Sequence, residues 1–172
     1  MKNKVAVVVG HHKWAKGAKS PYLPSEWDLM SEIAEDLKDV ADVFYHNPNI
    51  SGYNARQRSM AKRTASYDLV IELHYNAATP QANGCEALYW FKNKKGKELA
   101  LKFCDMVNDR MGIKNRGAKA IVSKSQRGAG FIYYTKRTGL ILEPLFGTNF
   151  KDVSKFDKQA YKSLLRQFIQ EV

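Results

Sequence analysis

The stretch 68-Asp-Leu-Val-Ile-Glu-Leu-His-Tyr-Asn-Ala-77 decides the fold class. Leu69, Val70, Ile71 and Leu73 form a near-continuous apolar run of strand length. Such a run favours a central strand that is buried on both faces of the sheet. His74 follows directly, and in open α/β sheets ligands bind just beyond the carboxyl ends of the strands. His74 is therefore a candidate functional imidazole; the alternative is a structural histidine at the edge of the sheet.

Outward from this stretch, segments typical of strands alternate with segments typical of helices. Further strands are predicted at Val5–Val9 and at residues 43–45, 85–91, 116–123 and 139–142. Ser25 is a good N-cap for a helix whose apolar face extends to Val40. Other helices are predicted at residues 53–66, 97–111 and 156–172, and residues 128–137 fit either a short helix or a loop. This alternation predicts an α/β fold with a mostly parallel mixed sheet of about five to six strands and helices on both faces.

The composition is that of one globular domain. The chain has 172 residues, of which 44% are hydrophobic and 26% are charged, so we expect a single domain over residues 1–172. No apolar run has the length that crosses a membrane, and the short run Val5–Val9 predicts a strand rather than a secretory signal. Cys85 and Cys104 lack a metal-binding spacing, which predicts buried thiols in a protein made in the cytoplasm.

The net charge of +11 lies in the second half of the chain, because residues 1–86 hold as many acidic as basic side chains. A soluble basic surface is one explanation. Attraction to a polyanion is another, and nucleic acid, anionic lipid and an anionic cell-wall polymer all qualify. Charge alone does not choose among them.

Polar side chains collect at the predicted strand ends and at the first helix. His11 follows the first strand, Glu26 opens the first helix, His74 follows the central strand, and Glu143 ends a later strand just before Pro144. Two imidazoles and one carboxylate form a ligand set for catalytic zinc that leaves a fourth position for water. A further carboxylate then transfers protons between that water and the leaving amine.

The motifs around these residues resemble those of the zinc-dependent N-acetylmuramoyl-L-alanine amidases of bacterial autolysins and phage endolysins. They occur in the order of that family over nearly the whole chain. They are Val7-Val-Val-Gly-His11, Ser25-Glu26, Tyr53-Asn-Ala-Arg-Gln-Arg58, Leu73-His-Tyr-Asn-Ala77 with Gly84 and Leu88-Tyr-Trp90, and the segment from Leu140 to Asn149.

The resemblance implies that His11, Glu26 and His74 bind Zn²⁺ and that Glu143 is the catalytic carboxylate. The reaction that it implies is hydrolysis of the amide between N-acetylmuramic acid and L-alanine in peptidoglycan. A compact phage endolysin fits a chain that shows no secretory signal. We expect a monomer that is made in the cytoplasm, acts on the cell wall, and uses its basic second half to hold anionic wall or membrane surfaces.

Several roles stay open at this stage. His12 follows His11 directly, so either imidazole is a possible ligand, with His11 preferred because it follows Gly10. Asn76 either contacts substrate or caps a turn. Glu26 is alternatively a simple helix-start carboxylate, and Glu143 a salt-bridge partner.

Three further side chains or groups have less defined roles. His46 lies in a turn-like stretch and is expected at the surface. Trp14 either lines the groove or packs beneath it, and the basic cluster Arg56, Arg58, Lys62 and Arg63 is either a solvated helix face or a substrate contact. The competing function is a basic nucleic-acid-binding domain without catalytic activity, in which aromatic side chains near the basic residues would stack on bases.

Overall fold

The computed structural model describes residues 3–172 and contains a central sheet flanked by helices. The strands are β1 (Val5–Val9), β2 (Asp42–Tyr45), β3 (Leu69–Leu73), β4 (Cys85–Trp90), β5 (Asn115–Ile121) and β6 (Thr138–Glu143). The helices are α1 (Glu26–Glu35), α2 (Tyr53–Arg63), α3 (Lys94–Met111), α4 (Ala129–Tyr134), α5 (Phe150–Lys155) and α6 (Lys158–Gln170).

The strand order β2-β1-β3-β6-β4-β5 places β3 in the interior of the sheet. β2, β1, β3 and β6 are parallel, so their carboxyl ends meet at one edge. β4 runs antiparallel to β6, and β5 is parallel to β4. Glu86 at the start of β4 therefore lies opposite Glu143 at the end of β6. The predicted mixed, mostly parallel α/β sheet is confirmed.

The two faces of the sheet are covered by different helices because successive strand residues point to opposite sides. Val5, Val7 and Val9 pack in the larger cluster, which contains side chains of α1, α3 and α6. Ala6 and Val8 face a smaller cluster with side chains of α2 and α4. The smaller cluster leaves room at the carboxyl edge of the sheet for polar side chains.

Most differences from the predicted bounds arise at helix ends. α1 stops at Glu35, although Leu37 beyond it is still fully buried. α3 begins before the predicted residue 97 because the Asn93 side chain accepts a hydrogen bond from the Gly96 N–H and caps the first turn. α6 begins at Lys158 because Asp157 caps it in the same way, and α2 ends at Arg63. Residues 128–137 contain the short helix α4.

Both cysteines are free and buried, as predicted. Within residues 3–172, none of the helices combines the length and the apolar character that a membrane crossing needs.

Candidate metal centre and catalytic cleft

His11 leaves β1 in a left-handed backbone conformation. Its φ of 65° makes it the single non-glycine residue with positive φ in the described chain. Such conformations are costly for side chains with a Cβ and concentrate at functional sites. The turn brings His11 Nε2 to 3.0 Å from Glu26 Oε2.

Glu26 is fixed by the backbone as well as by histidines. The N–H of Ala18 donates to Glu26 Oε2 at 2.7 Å, and the N–H of Tyr75 donates to Oε1 at 3.2 Å. The residue is only 2% exposed. Burial by itself raises the pKa of Glu26, but the hydrogen bonds and charges of His11 and His74 outweigh it and hold the pKa far below its ordinary value. A carboxylate with these partners is ionised and held in one orientation, which a simple helix-start residue does not require.

His74 completes a group of three donors. Its Nδ1 lies 2.6 Å from Glu26 Oε1, and its ring is 5.0 Å from the His11 ring. One potential ligand atom from each of His11, Glu26 and His74 lies within 4.8 Å of the others. The structure thus brings together the three predicted metal ligands. Two imidazole nitrogens and one carboxylate oxygen are the donors that catalytic zinc accepts.

His12 is outside this group. Its ring is buried, and its backbone pairs with Ala15 in an isolated bridge. The geometry therefore favours His11 over His12 as the ligand.

Two glycines make the approach of the three ligands possible. A Cβ on Gly10 would lie 2.4 Å from Cε1 and Nε2 of His74. A Cβ on Gly17 would lie 2.4 Å from both Glu26 Oε2 and His11 Cδ2. Contacts this short exclude any side chain at either position unless the ligands move.

Glu143 lies at the end of β6 and is held by Asn76. The Asn76 Nδ2 donates to Glu143 Oε2 at 2.6 Å and to Glu86 Oε1 at 2.9 Å. Burial raises the pKa of Glu143 to about 7; the His74 charge opposes this rise, and the Glu86 charge adds to it. Within residues 3–172 Glu143 takes part in none of the ion pairs, so the salt-bridge alternative is not observed.

Asn76 does more than cap a turn. Its side-chain oxygen accepts from the Ala77 N–H at 3.0 Å, while its nitrogen contacts the two carboxylates. Glu86 in turn accepts from Arg116 Nε at 2.7 Å. The Asn76 amide therefore links the loop after β3 to the end of β6 and to the start of β4.

One cleft of about 600 Å³ contains His11, His74, Asn76 and Glu143 in its walls. Glu26 is buried in contact with His11 and His74 and does not itself line the cleft. Arg56 and residues of the segment 124–128 also line the cleft. Arg58 instead contacts Tyr134, and Trp14 is 64% exposed rather than packed beneath the groove.

Glu72 and His46 are part of the site, although sequence patterns did not point to them. The predicted surface position of His46 is wrong, because its side chain is only 2% exposed. His46 Nε2 lies 2.8 Å from Glu72 Oε1, and His74 Nε2 lies 3.0 Å from Glu72 Oε2. The sequence contained one indication, which was Glu72 itself, an acidic residue in a strand whose other side chains are apolar.

The fold and this site define a class of hydrolase, and sequence comparison gives the family. Residues 5–171 match the family model described as N-acetylmuramoyl-L-alanine amidase. The match covers nearly the whole chain, and the chain belongs to this amidase family. The resemblance that the motifs indicated is confirmed.

The relatives agree with this assignment. The N-acetylmuramoyl-L-alanine amidase LytC of Bacillus subtilis (strain 168) is 28% identical over 128 residues, which are 72% of this chain and 24% of that protein. This chain thus spans about a quarter of the length of that curated relative.

Solved structures share the fold over almost the full length. The catalytic domain of the CD27L endolysin targeting Clostridia difficile superposes with a TM-score of 0.79 at 26% identity, covering 98% of this chain and 97% of that one. An amidase from Neisseria meningitidis, described as putative, has a TM-score of 0.72 at 23% identity, with 98% and 92% covered. The second likeness bears on the fold alone.

Proposed function

We propose that this chain is a zinc-dependent hydrolase that cleaves the amide between the lactyl group of N-acetylmuramic acid and L-alanine in peptidoglycan. The observation that carries the proposal is the meeting of His11, Glu26 and His74, whose two histidines line a cleft that also contains Glu143. Membership of the amidase family supplies the substrate class. The comparisons give the nucleic-acid-binding alternative no support.

The donor set fits zinc. His11 Nε2, His74 Nδ1 and an oxygen of Glu26 are the atoms that would hold the ion, because these atoms already face one another. When bound, zinc supplies Lewis-acid activation of the scissile carbonyl and of water. The backbone N–H groups of Ala18 and Tyr75 keep the Glu26 carboxylate in place without the ion.

Glu143 is the proposed general base and general acid. A pKa of about 7 allows the carboxylate to take a proton near neutral pH and to release it again. It accepts a proton from the attacking water as oxygen bonds to the lactyl carbonyl carbon. The same proton passes to the alanine nitrogen as the carbon–nitrogen bond breaks, which yields a free carboxylate and a free amine. Asn76 holds the carboxylate oxygen in one direction throughout.

The basic residues provide the proposed attachment to the wall. Arg56, Lys124 and Arg127 line the cleft and present positive charge to carboxylates of the peptide. The remaining lysines and arginines of the second half would hold anionic cell-wall polymers or membrane surfaces. We propose that residues 1–172 act as one catalytic domain and a monomer, in the manner of an endolysin.

The test is digestion of purified peptidoglycan with analysis of the new ends. We expect new N-terminal alanine and free muramic acid lactyl groups, loss of activity after chelation, and recovery when Zn²⁺ is restored. Glu143→Gln should retain zinc and lose about 2 to 4 orders of magnitude in kcat. Cleavage elsewhere in the peptide, or full activity in thoroughly metal-free protein, would refute the assignment.

A further inference from the structure

We propose that Glu72 is a second carboxylate of the metal centre, which does not bind the ion but orients His74 for it, with His46 holding Glu72 from the other side. This inference rests on the proposed zinc-dependent function. It concerns residues that lie beneath the ligands rather than the ligands themselves.

The two ring nitrogens of His74 face two different carboxylates. Nδ1 lies 2.6 Å from Glu26, and Nε2 lies 3.0 Å from Glu72. A histidine that binds a metal through one nitrogen needs the proton on the other nitrogen, and a carboxylate acceptor fixes it there. Glu72 therefore keeps the proton on Nε2 and leaves the lone pair of Nδ1 directed to the metal position.

Glu72 is itself held on several sides. Its second oxygen lies 2.8 Å from His46 Nε2 and 3.5 Å from Gln57 Nε2. The side chains of Glu72 and His46 are both 2% exposed. Within the described residues His46 Nδ1 has no hydrogen-bond partner, as expected if the ring proton of His46 lies on Nε2 and is donated to Glu72. The carboxylate thus receives a donor on each oxygen and has little freedom to turn.

The sheet explains how these side chains meet. β1 lies between β2 and β3, and Val8 is paired with Phe44 on one side and Glu72 on the other. His46 and His74 each follow two residues later, so both lie on the face of Glu72 at the carboxyl edge. Gly10, two residues after Val8, has no side chain, and a Cβ there would collide with the His74 ring. The contacts from His46 to Glu72 and from Glu72 to His74 are therefore set by the register of the strands and do not depend on flexible loops.

Charge balance gives Glu72 a second effect on the ion. A divalent cation held by two neutral imidazoles and Glu26 leaves one positive charge in a partly buried site. Glu72 supplies the compensating negative charge without occupying a coordination position. A carboxylate inside an apolar strand is costly unless its partners compensate it, and the two histidines within hydrogen-bonding distance are such partners.

The experiment measures zinc affinity by competition with a chromogenic chelator, with no peptidoglycan in the assay. Glu72→Gln is expected to bind zinc about 10- to 100-fold more weakly than the wild type. His46→Leu, which removes the donor to Glu72, should weaken binding in the same direction. His46→Gln keeps a donor and should recover part of the loss. Glu98→Gln, an exposed position on α3, is the matched control and should bind zinc like the wild type.

A spectroscopic measurement separates orientation from loss of fold. Long-range ¹H–¹⁵N spectra of the zinc-loaded wild type should show His74 with its proton on Nε2. A proton on Nδ1, or unchanged zinc affinity in folded Glu72→Gln, would overturn the inference. If Glu72→Gln does not fold, the zinc affinities of His46→Leu and His46→Gln and the spectrum of the wild type test the inference in its place. A wild type that fails to bind zinc would instead refute the proposed function.

Discussion

Asn76 and Glu143 are joined by a hydrogen bond of 2.6 Å between the side-chain amide and the carboxylate. The same nitrogen lies 2.9 Å from Glu86, so one donor serves two acidic groups. Because the amide fixes the direction of the proposed base, we expect Asn76→Ala to lower kcat by about tenfold to a hundredfold with little change in KM. Initial rates over a range of concentrations of a soluble muramoyl-peptide measure both constants.

Asn108→Ala serves as the control for this prediction, because Asn108 is an exposed residue of α3 and does not line the cleft. It should leave both constants unchanged. A large rise in KM with normal kcat in Asn76→Ala would instead assign Asn76 to substrate binding, one of the two roles that the sequence left open for it.

The pH dependence of activity should follow the charges around Glu143. Burial raises the pKa of Glu143 above its ordinary value, and the ionised form is the base, so activity should increase as pH rises through the pKa of Glu143. The Glu86 charge raises the pKa of Glu143 and the Arg127 charge lowers it. Glu86→Gln should therefore move the acidic limb of the profile to lower pH, and Arg127→Gln should move it to higher pH.

Profiles of kcat/KM from pH 5 to 9 on zinc-loaded protein measure these shifts. The opposite signs of the two variants are the essential result. A shift in the same direction for both, or no shift in either, would mean that another group controls the acidic limb.

The adjacent histidines should differ in their effect on metal content. His11 Nε2 faces Glu26 at 3.0 Å, whereas His12 is buried and pairs with Ala15 through its backbone. We expect His11→Ala to purify with less than about a tenth of the zinc of the wild type, since a ligand is lost. His12→Ala should keep its zinc, although it loses buried contacts. Elemental analysis of both proteins decides the question.

Gly10 should tolerate no side chain. In Gly10→Ala the new Cβ would lie 2.4 Å from two ring atoms of His74, so the ring must move away from its position. We expect zinc affinity to fall at least about tenfold, because the displaced ring is a ligand. Gly96→Ala in α3 is the matched substitution outside the cleft and should retain zinc. Equal zinc affinity in the two variants would show that the backbone yields at Gly10.

Much of the architecture was predictable because its signals are local. Apolar runs such as Val5–Val9 identify buried strands, and the N-cap at Ser25 and the left-handed Gly112 mark helix ends. Three ligand candidates also followed from position, since each lies at a strand end or at the start of a helix. Glu143 followed from its position at a strand end as well, and the family motifs assigned the roles of all four residues.

Glu72 and His46 could not be recognised in the same way. Glu72 stands inside an apolar run, where the pattern indicates burial and gives no reason for a charge. The short β2 is only partly buried, so His46 after it resembles a surface turn. Their contact depends on the register of β2, β1 and β3. The hydrophobic periodicity within a segment does not indicate how strands distant in the sequence pair.

The catalytic residues and the basic residues of the cleft come from different parts of the fold. His74 and Glu143 follow or end the neighbouring strands β3 and β6, whereas Lys124 and Arg127 come from the connection between β5 and α4. The catalytic residues therefore stand on hydrogen-bonded strands and keep their positions when that connection changes, whereas the charge of Arg127 in the connection still affects the pKa of Glu143. Grafting other loops between residues 121 and 129 that keep Arg127 is thus a route to enzymes with altered substrate preference and the same reaction.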